Sequence, residues 1–265
     1  MKPDMTTLPG WDMAPDYEIF DVHIHPFNDP ADNFAWYGAP VTREEFFAEL
    51  RRAGISRSAG DVIRRGDGSA FDPVRAANAE SLTVAGEGFH PGIQIHPAFP
   101  RESCTEVEAA HRRGVRLIGE LVPYLSGWTR YDDPGCRDAL ALAEEFGMVL
   151  SIHPTAVDDM AAVLKAFPKL TVIIAHPGDR DEYFAKLELL ETFSNAYLDL
   201  SGTGLFRYNM LRYGIDRAGC DRFLFGSDFP ICNAAMNVGA ILNEKLSESE
   251  RVAVFSGNFR RLFNL

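Results

Sequence analysis

MVLSIHPTAVDDMAAVLKAFPKLTVIIAHPG, residues 148–178, holds two short apolar runs separated by one amphipathic segment. The runs MVLSIHP (148–154) and TVIIAHPG (171–178) are nearly continuous in apolar residues, as strands buried on both faces of a parallel sheet are. Between them AVDDMAAVLKAFP (156–168) has helical composition, and parallel neighbours need a crossover of this kind. Each run stops at a His-Pro pair. Proline cannot donate to a sheet ladder and pushes its predecessor into extended geometry, so His153 and His176 fall at strand ends.

Working outward, the same alternation extends in both directions. Upstream candidate strands are EIFDVHIH (18–25), SRSAGDVI (56–63), PGIQIHP (91–97) and VRLIGEL (115–121). Downstream come AYLDLSG (196–202) and RFLFGSDFP (222–230). Segments of helical composition lie at 43–54, 104–114, 136–147, 180–193 and 209–219, several ending on Gly54, Gly114, Gly147 or Gly219. Glycine there fits the left-handed position that follows a last helical turn. Eight strands, each followed by a helix and with no hairpin signal, predict an α/β fold, a closed (β/α)8 TIM barrel. One domain is expected over residues 17–265, after a poorly structured lead-in at 1–16, with a closing helical segment at 247–263.

Length and composition agree with that reading. The chain has 265 residues, 46% of them hydrophobic, which excludes a largely disordered or fibrous protein. Its formal net charge of −12 argues against nucleic acid or an anionic membrane as partner, since both need a basic footprint. No apolar stretch is long enough to span a bilayer, and the opening MKPDMTTLPGWDM lacks the apolar core of a secretory signal. A cytoplasmic location is the expectation. Four scattered cysteines (Cys104, Cys136, Cys220, Cys232) suit neither a disulfide framework nor a cysteine zinc site.

Chemistry concentrates in the histidines. Of the seven, His25, His96, His153 and His176 each end a separate strand just before proline. In a parallel barrel those ends meet on one rim, where active sites of this fold are built. His23 and His25 are two apart on one strand and so point to the same side. Two such imidazoles can hold one divalent metal at about 2.0–2.1 Å. Asp228, in GSDFP at the end of the last strand, adds the hard carboxylate that zinc, manganese or iron would take beside them. Glu120 ends strand four and reads as a further ligand or as the group that orients metal-activated water. His96 reads equally as a substrate-binding residue or a hydrogen-bonded structural one, and His90, at a turn, and His111, on a helix, read as surface or structural residues.

The motifs DVHIHPF, GEL, SIHP, IIAHPG, YLDLSG, FGSDFP and SGNFRRLF, in this order, resemble the amidohydrolase superfamily, in particular its amidohydrolase-2 (amidohydrolase-related) group. The resemblance runs from residue 18 to 263. It implies a metal-dependent enzyme in which His23, His25, His153 and Asp228 surround the ion. It also implies that His176 is a ligand in binuclear hydrolases or a catalytic, water-activating group in decarboxylases. Binuclear members often carry a carboxylated lysine on strand four; Glu120 stands there instead, which leaves one or two ions open. Zn2+ is the expected ion, with Mn2+ or Fe2+ as alternatives.

Three activities follow. The first expectation is a hydrolase of a small amide, ester or lactone, with Asp228 as general acid and base, because Glu120 could help hold a second ion. The alternative is a non-oxidative decarboxylase of an aromatic or muconate-like acid, in which His176 takes part in protonating the substrate. The third is a non-catalytic barrel that keeps its metal for structure or partner binding, which an open rim argues against. The loop PYLSGWTRYDD after strand four offers Tyr124, Trp128, Arg130 and Tyr131 as walls for a small planar carboxylate or lactone. Arg207 and Tyr208 after strand seven, and Arg64-Arg65 after strand two, are further candidates. A small-molecule partner is thus expected. Barrels of this kind often self-associate into homo-oligomers, but no sequence feature marks an interface.

Overall fold

The computed structural model describes residues 17–27, 35, 37–38, 42–84 and 88–265; the expected lead-in at 1–16 lies outside these. Eight strands are present: β1 (Ile19–Ile24), β2 (Ile55–Gly60), β3 (Phe89–Ile93), β4 (Leu117–Leu121), β5 (Val149–Ile152), β6 (Thr171–Ile174), β7 (Ala196–Asp199) and β8 (Phe223–Leu224). They pair in parallel and in chain order. Backbone bonds from Val22 N to Phe225 O (3.0 Å), Asp228 N to His23 O (2.8 Å) and His25 N to Phe229 O (2.9 Å) tie the segment after β8 to β1. The ring so closed is a (β/α)8 TIM barrel.

The helices between the strands are α1 (Arg43–Arg52), α2 (Asp72–Thr83), α3 (Pro100–Arg112), α4 (Arg137–Glu145), α5 (Val157–Ala166), α6 (Arg180–Thr192), α7 (Met210–Ala218) and α8 (Ala234–Asn243). Gly54, Gly114, Gly147 and Gly219 all have positive φ where their helices end, as the left-handed stop requires. The structure adds α2 and α8, which lie outside the helical segments the sequence predicts. The first buries Asn78, Glu80 and Ser81, so polar residues blur its apolar face. His90 lies within β3 rather than in a turn, packed against the rings of Phe259 and Phe263. His111 stacks on Phe146.

Neighbouring residues along the strands divide between two layers. Ile118, Leu150, Val172 and Leu198 join a cluster shared with Leu140, Val163, Leu187 and Leu211 of the surrounding helices. Leu117, Val149, Ile173 and Tyr197 join a smaller cluster with Phe20 and Val22. The chain ends in α9 (Glu248–Val252), a wider π-type turn at Ala253–Gly257, and α10 (Asn258–Phe263). Phe259, Leu262 and Phe263 of α10 complete the smaller cluster. Phe259 meets Phe20 edge-on at 5.3 Å and stacks on Phe263 at 4.3 Å. Each such side chain contributes about 1.5–3 kcal/mol by leaving water. This apolar plug fills the barrel at the N-terminal ends of its strands, and the polar residues gather at the other end. No helix of the described residues is long and apolar enough to cross a membrane.

Candidate metal centre

The C-terminal ends of β1, β4, β5, β6 and the segment after β8 bring six side chains together. His23 Nε2 lies 3.1 Å from His25 Nε2. Glu120 Oε2 is 3.3 Å from the first and 3.4 Å from the second. Asp228 Oδ1 is 3.6 Å and 3.5 Å from the same two nitrogens. Donors held in a tetrahedron around an ion at about 2.0–2.2 Å stand about 3.3–3.6 Å apart, and His23, His25 and Glu120 form a group close to this spacing. On the far side of the carboxylate, Glu120 Oε1 is 3.1 Å from His153 Nδ1 and 3.4 Å from His176 Nε2. Glu120 therefore shows each oxygen to a different group of imidazoles. His153 meets the cluster through Glu120, where the family resemblance groups it with His23, His25 and Asp228.

Local backbone makes this convergence possible. Gly119 has φ +92, and a side chain there would run into the backbone of Ser151 and Leu121. His176 and Asp228 both adopt left-handed backbone, φ 58 and φ 62. Such conformations in residues other than glycine are held only when their surroundings over-determine them. For His176 the buried Lys186 of α6 helps, its ammonium donating to the His176 carbonyl at 2.8 Å.

Outer partners orient the ligand nitrogens. His23 Nδ1 is 2.9 Å from Asp199 Oδ2, and His25 Nδ1 is 3.2 Å from the Asp61 carbonyl. Both acceptors draw the ring proton to Nδ1, which leaves bare lone pairs on the two facing Nε2 atoms. Gln94 binds the Asp61 carboxylate and donates to the Glu120 carbonyl (2.6 Å), and Asn78 holds Gln94 in turn. Asp199→Asn should weaken metal binding by about 10–100-fold. Asp199 Oδ1 faces three donors, namely Ser201 N, Ser201 Oγ and His176 N. The amide oxygen of asparagine would stay with them and turn its NH2 to His23, forcing that ring's proton onto Nε2. Competition with a chelating dye measures the change, and an unaltered affinity would remove Asp199 from this role.

Electrostatics of the cluster call for positive charge. Burial works to lower His23, but the carboxylates of Glu120 and Asp199 carry it well above the usual imidazole range. Burial likewise pushes Glu120 up, yet His23 and the hydrogen bonds from His153 and His176 hold it well below the usual carboxylate range. Protons on the imidazoles thus fill the place of a cation. Asp228 is raised, by burial first, against the pull of His23, His176 and His25. Asp61 is pushed up to about 6 by burial, with His25 opposing. Two buried carboxylates among lone-pair nitrogens form a donor set that fits a divalent ion.

The cluster opens into a cavity of about 560 Å3 lined by His25, Glu120, His153, His176 and Asp228. Arg65, Tyr124, Ile63, Val122, Leu125 and Cys232 also line it. Tyr124 is exposed, its ring 5.3 Å from that of His153. The other substrate candidates do not line the cavity. Arg130 points outward, bound to Asp132 and Asp158, because two carboxylates lie within its reach on the surface. Trp128 is buried between His96 and Tyr131 as a packing residue. His96 is also buried, its Nε2 on the Ser126 carbonyl (2.8 Å) and its Nδ1 accepting from Ala98 N. Tyr131 is buried with its hydroxyl on the Leu121 and His153 carbonyls. Arg207 donates to the Gly178 carbonyl, and Tyr208 meets Lys245 at the surface.

Sequence reasoning did not single out Asp61, Gln94, Asp199 or Ser201. The one signal available was Asp199-x-Ser201 within YLDLSG, two polar residues on the same side of a strand that runs into the rim.

Comparison with known proteins places this geometry. A curated relative, gamma-resorcylate decarboxylase of Polaromonas sp. (strain JS666 / ATCC BAA-500), is 27% identical over 139 residues, which is 45% of this chain and 42% of the relative. The match thus spans less than half of that protein's length. The crystal structure of 5-carboxyvanillate decarboxylase from Sphingomonas paucimobilis superposes with a TM-score of 0.71 at 18% identity, covering 94% of this chain and 99% of the other. A dihydroxybenzoic acid decarboxylase from Polaromonas sp. JS666, with bound manganese and the inhibitor 2-nitroresorcinol, gives 0.68 at 16% identity, covering 94% and 97%. At such identities these two likenesses speak for the fold. The family model described as Amidohydrolase (Amidohydro_2) matches residues 20–265, nearly the whole chain. The chain belongs to the amidohydrolase family.

Proposed function

We propose that this protein is a non-oxidative decarboxylase of a small aromatic carboxylic acid, dependent on a divalent cation held by His23, His25, Glu120 and Asp228. The observation that carries this reading is the cavity of about 560 Å3, which joins that cluster to Arg65, Tyr124 and apolar side chains that include Ile63, Val122 and Leu125. A pocket of this size lies within the range of about 300–1,000 Å3 typical of small-molecule sites. The relatives named above support it, since each is a decarboxylase of an aromatic acid. Hydrolysis, the first expectation from sequence, gives way on that ground. Zinc gives way to Mn2+, because manganese is the ion bound in the Polaromonas structure and nothing supports zinc.

A divalent cation there would supply Lewis-acid attraction for the carboxylate or a neighbouring ring oxygen of the substrate. Arg65 adds a cationic contact for an anionic group, and Tyr124 adds an aromatic wall. Decarboxylation replaces the carboxylate with hydrogen. One proton must reach the ring carbon; the C–C bond then breaks, its electron pair stays on the ring, and carbon dioxide leaves. Asp228 and His176 both line the cavity and are the groups that can hold and pass that proton.

One observation favours a second reading, a two-ion hydrolase: the opposed oxygens of Glu120 face two separate groups of imidazoles. Product analysis separates the two. Protein loaded with Mn2+ is incubated with hydroxybenzoates and, separately, with small esters, lactones and amides. Conversion of a hydroxybenzoate to the corresponding phenol supports decarboxylation. Turnover of only the second set, with two equivalents of metal bound, would replace it with hydrolysis.

A further inference from the structure

Lys186 of α6 is buried beside the cavity, and the chemistry proposed above gives its charge no task. Its Nζ donates to the His176 carbonyl at 2.8 Å and more weakly to the Pro177 carbonyl at 3.4 Å. Among the described residues it makes no ion pair. We propose that Lys186 is a positioning residue, which holds the backbone of His176 in its left-handed conformation and so sets the imidazole beside Glu120 in the cavity wall. The effect on rate rests on the decarboxylase reading above; the hold on the backbone does not.

Helix geometry explains how the lysine reaches this turn. Asp179 caps α6 by accepting from Asp181 N and Glu182 N, and Glu182 returns a bond to Asp179 N at 3.0 Å. Side chains on a helix lean toward its N-terminus, so Lys186, midway along α6, stretches back past the cap to the residues before it. That is a costly place for a cation. A buried charge loses its hydration, and the N-terminal end of a helix carries partial positive charge of its own. The carboxylates of Glu182, Asp199 and Asp179 offset part of this cost from a distance. What the ammonium gains by contact is two carbonyls, and both belong to the turn that carries His176.

That turn needs holding. His176 has φ 58, a conformation unfavourable for a residue with a β-carbon. Its N–H reaches Asp199 Oδ1 only at 3.3 Å, whereas its carbonyl meets Lys186 at 2.8 Å. The next fixed points lie further on, where Gly178 N donates to the Thr203 carbonyl (2.8 Å) and Arg207 to the Gly178 carbonyl (2.6 Å). Without the ammonium both carbonyls lose their donor, and His176 is free to relax toward negative φ. The proposed ligands are held by other means: His23 by Asp199, His25 by the Asp61 carbonyl, and Asp228 by its N–H on the His23 carbonyl.

Lys186→Met keeps the length of the side chain and removes its donors. In crystals of the Mn2+-loaded variant, His176 should leave its left-handed conformation and its ring should shift by about 1 Å, a misplacement that can cost about 10²-fold in rate. With an aromatic acid as substrate, kcat should accordingly fall about 10–100-fold, with KM, Mn2+ affinity and melting temperature little changed. Lys186→Leu, likewise without donors, takes its place should Lys186→Met not fold. An unmoved His176, or loss of metal together with activity, would overturn the proposal. Failure of both variants to fold would also overturn it, by making Lys186 a structural residue. If His176 moves as expected but wild-type protein releases no carbon dioxide from any aromatic acid, Lys186 keeps its assignment and the decarboxylase reading falls.

Discussion

Asp228→Asn is expected to lower kcat by about 10²–10⁴-fold while the fold and melting temperature stay close to wild type. The separation of the two effects follows from the backbone. Asp228 sits at φ 62, and asparagine is among the few residues besides glycine that accept this conformation. The side chain keeps its shape, so packing against Cys232 and the two histidines is preserved. What is lost is charge and a titratable proton. The amide cannot hold and pass a proton as a carboxyl does, and it is a weaker partner for a cation beside His23 and His25. Steady-state rates beside a thermal melt give the result. Activity within a few-fold of wild type would remove Asp228 from the chemistry and leave it as a structural residue.

Glu120→Gln should be the most damaging change to metal binding, with affinity lowered by at least about 100-fold. Each Glu120 oxygen faces two imidazole nitrogens, at 3.3 and 3.4 Å on one side and 3.1 and 3.4 Å on the other. Glutamine must turn its NH2 toward one of these pairs, so one group of imidazoles meets a donor in place of an acceptor. The negative charge that draws a cation into this buried place disappears at the same time. A ligand present at 100 times its Kd stabilises the folded state by about 2.7 kcal/mol. The rise in melting temperature that Mn2+ gives the wild-type protein should therefore shrink sharply in Glu120→Gln. Elemental analysis is the companion measurement. Unchanged metal content and an unchanged shift would make Glu120 a partner of the histidines only.

How much of this was legible beforehand depends on the range of the interaction. Four of the strands showed themselves because the apolar run ends on a local stop, His25-Pro26, His96-Pro97, His153-Pro154 or His176-Pro177, that needs no tertiary information. Their order in the barrel followed from the unbroken alternation of strand and helix. The gathering of His23, His25, Glu120, His153, His176 and Asp228 followed from one rule, that strand ends in a parallel barrel share a rim. Contacts between side chains far apart in sequence were hidden. Arg130 is drawn to Asp158 across the surface, and Trp128 turns inward onto His96 and Tyr131; nothing in PYLSGWTRYDD distinguishes those outcomes from a substrate wall. Asp61 and Gln94 were equally hidden, because the first closes a strand diluted by Ser, Arg and Gly and the second is a neutral amide. Hydrolysis and decarboxylation could not be separated from the ligands, since the same six residues serve both.

The most direct test of the account follows carbon dioxide. Hydroxybenzoates carrying a 13C-labelled carboxylate are given to the Mn2+-loaded protein, to the same protein after chelation, and to the chelated protein resupplied with Mn2+. The account predicts labelled carbon dioxide in equal amount to the phenol formed, its loss on chelation and its return with the metal. Release of no label from any aromatic acid by fully loaded protein would contradict it.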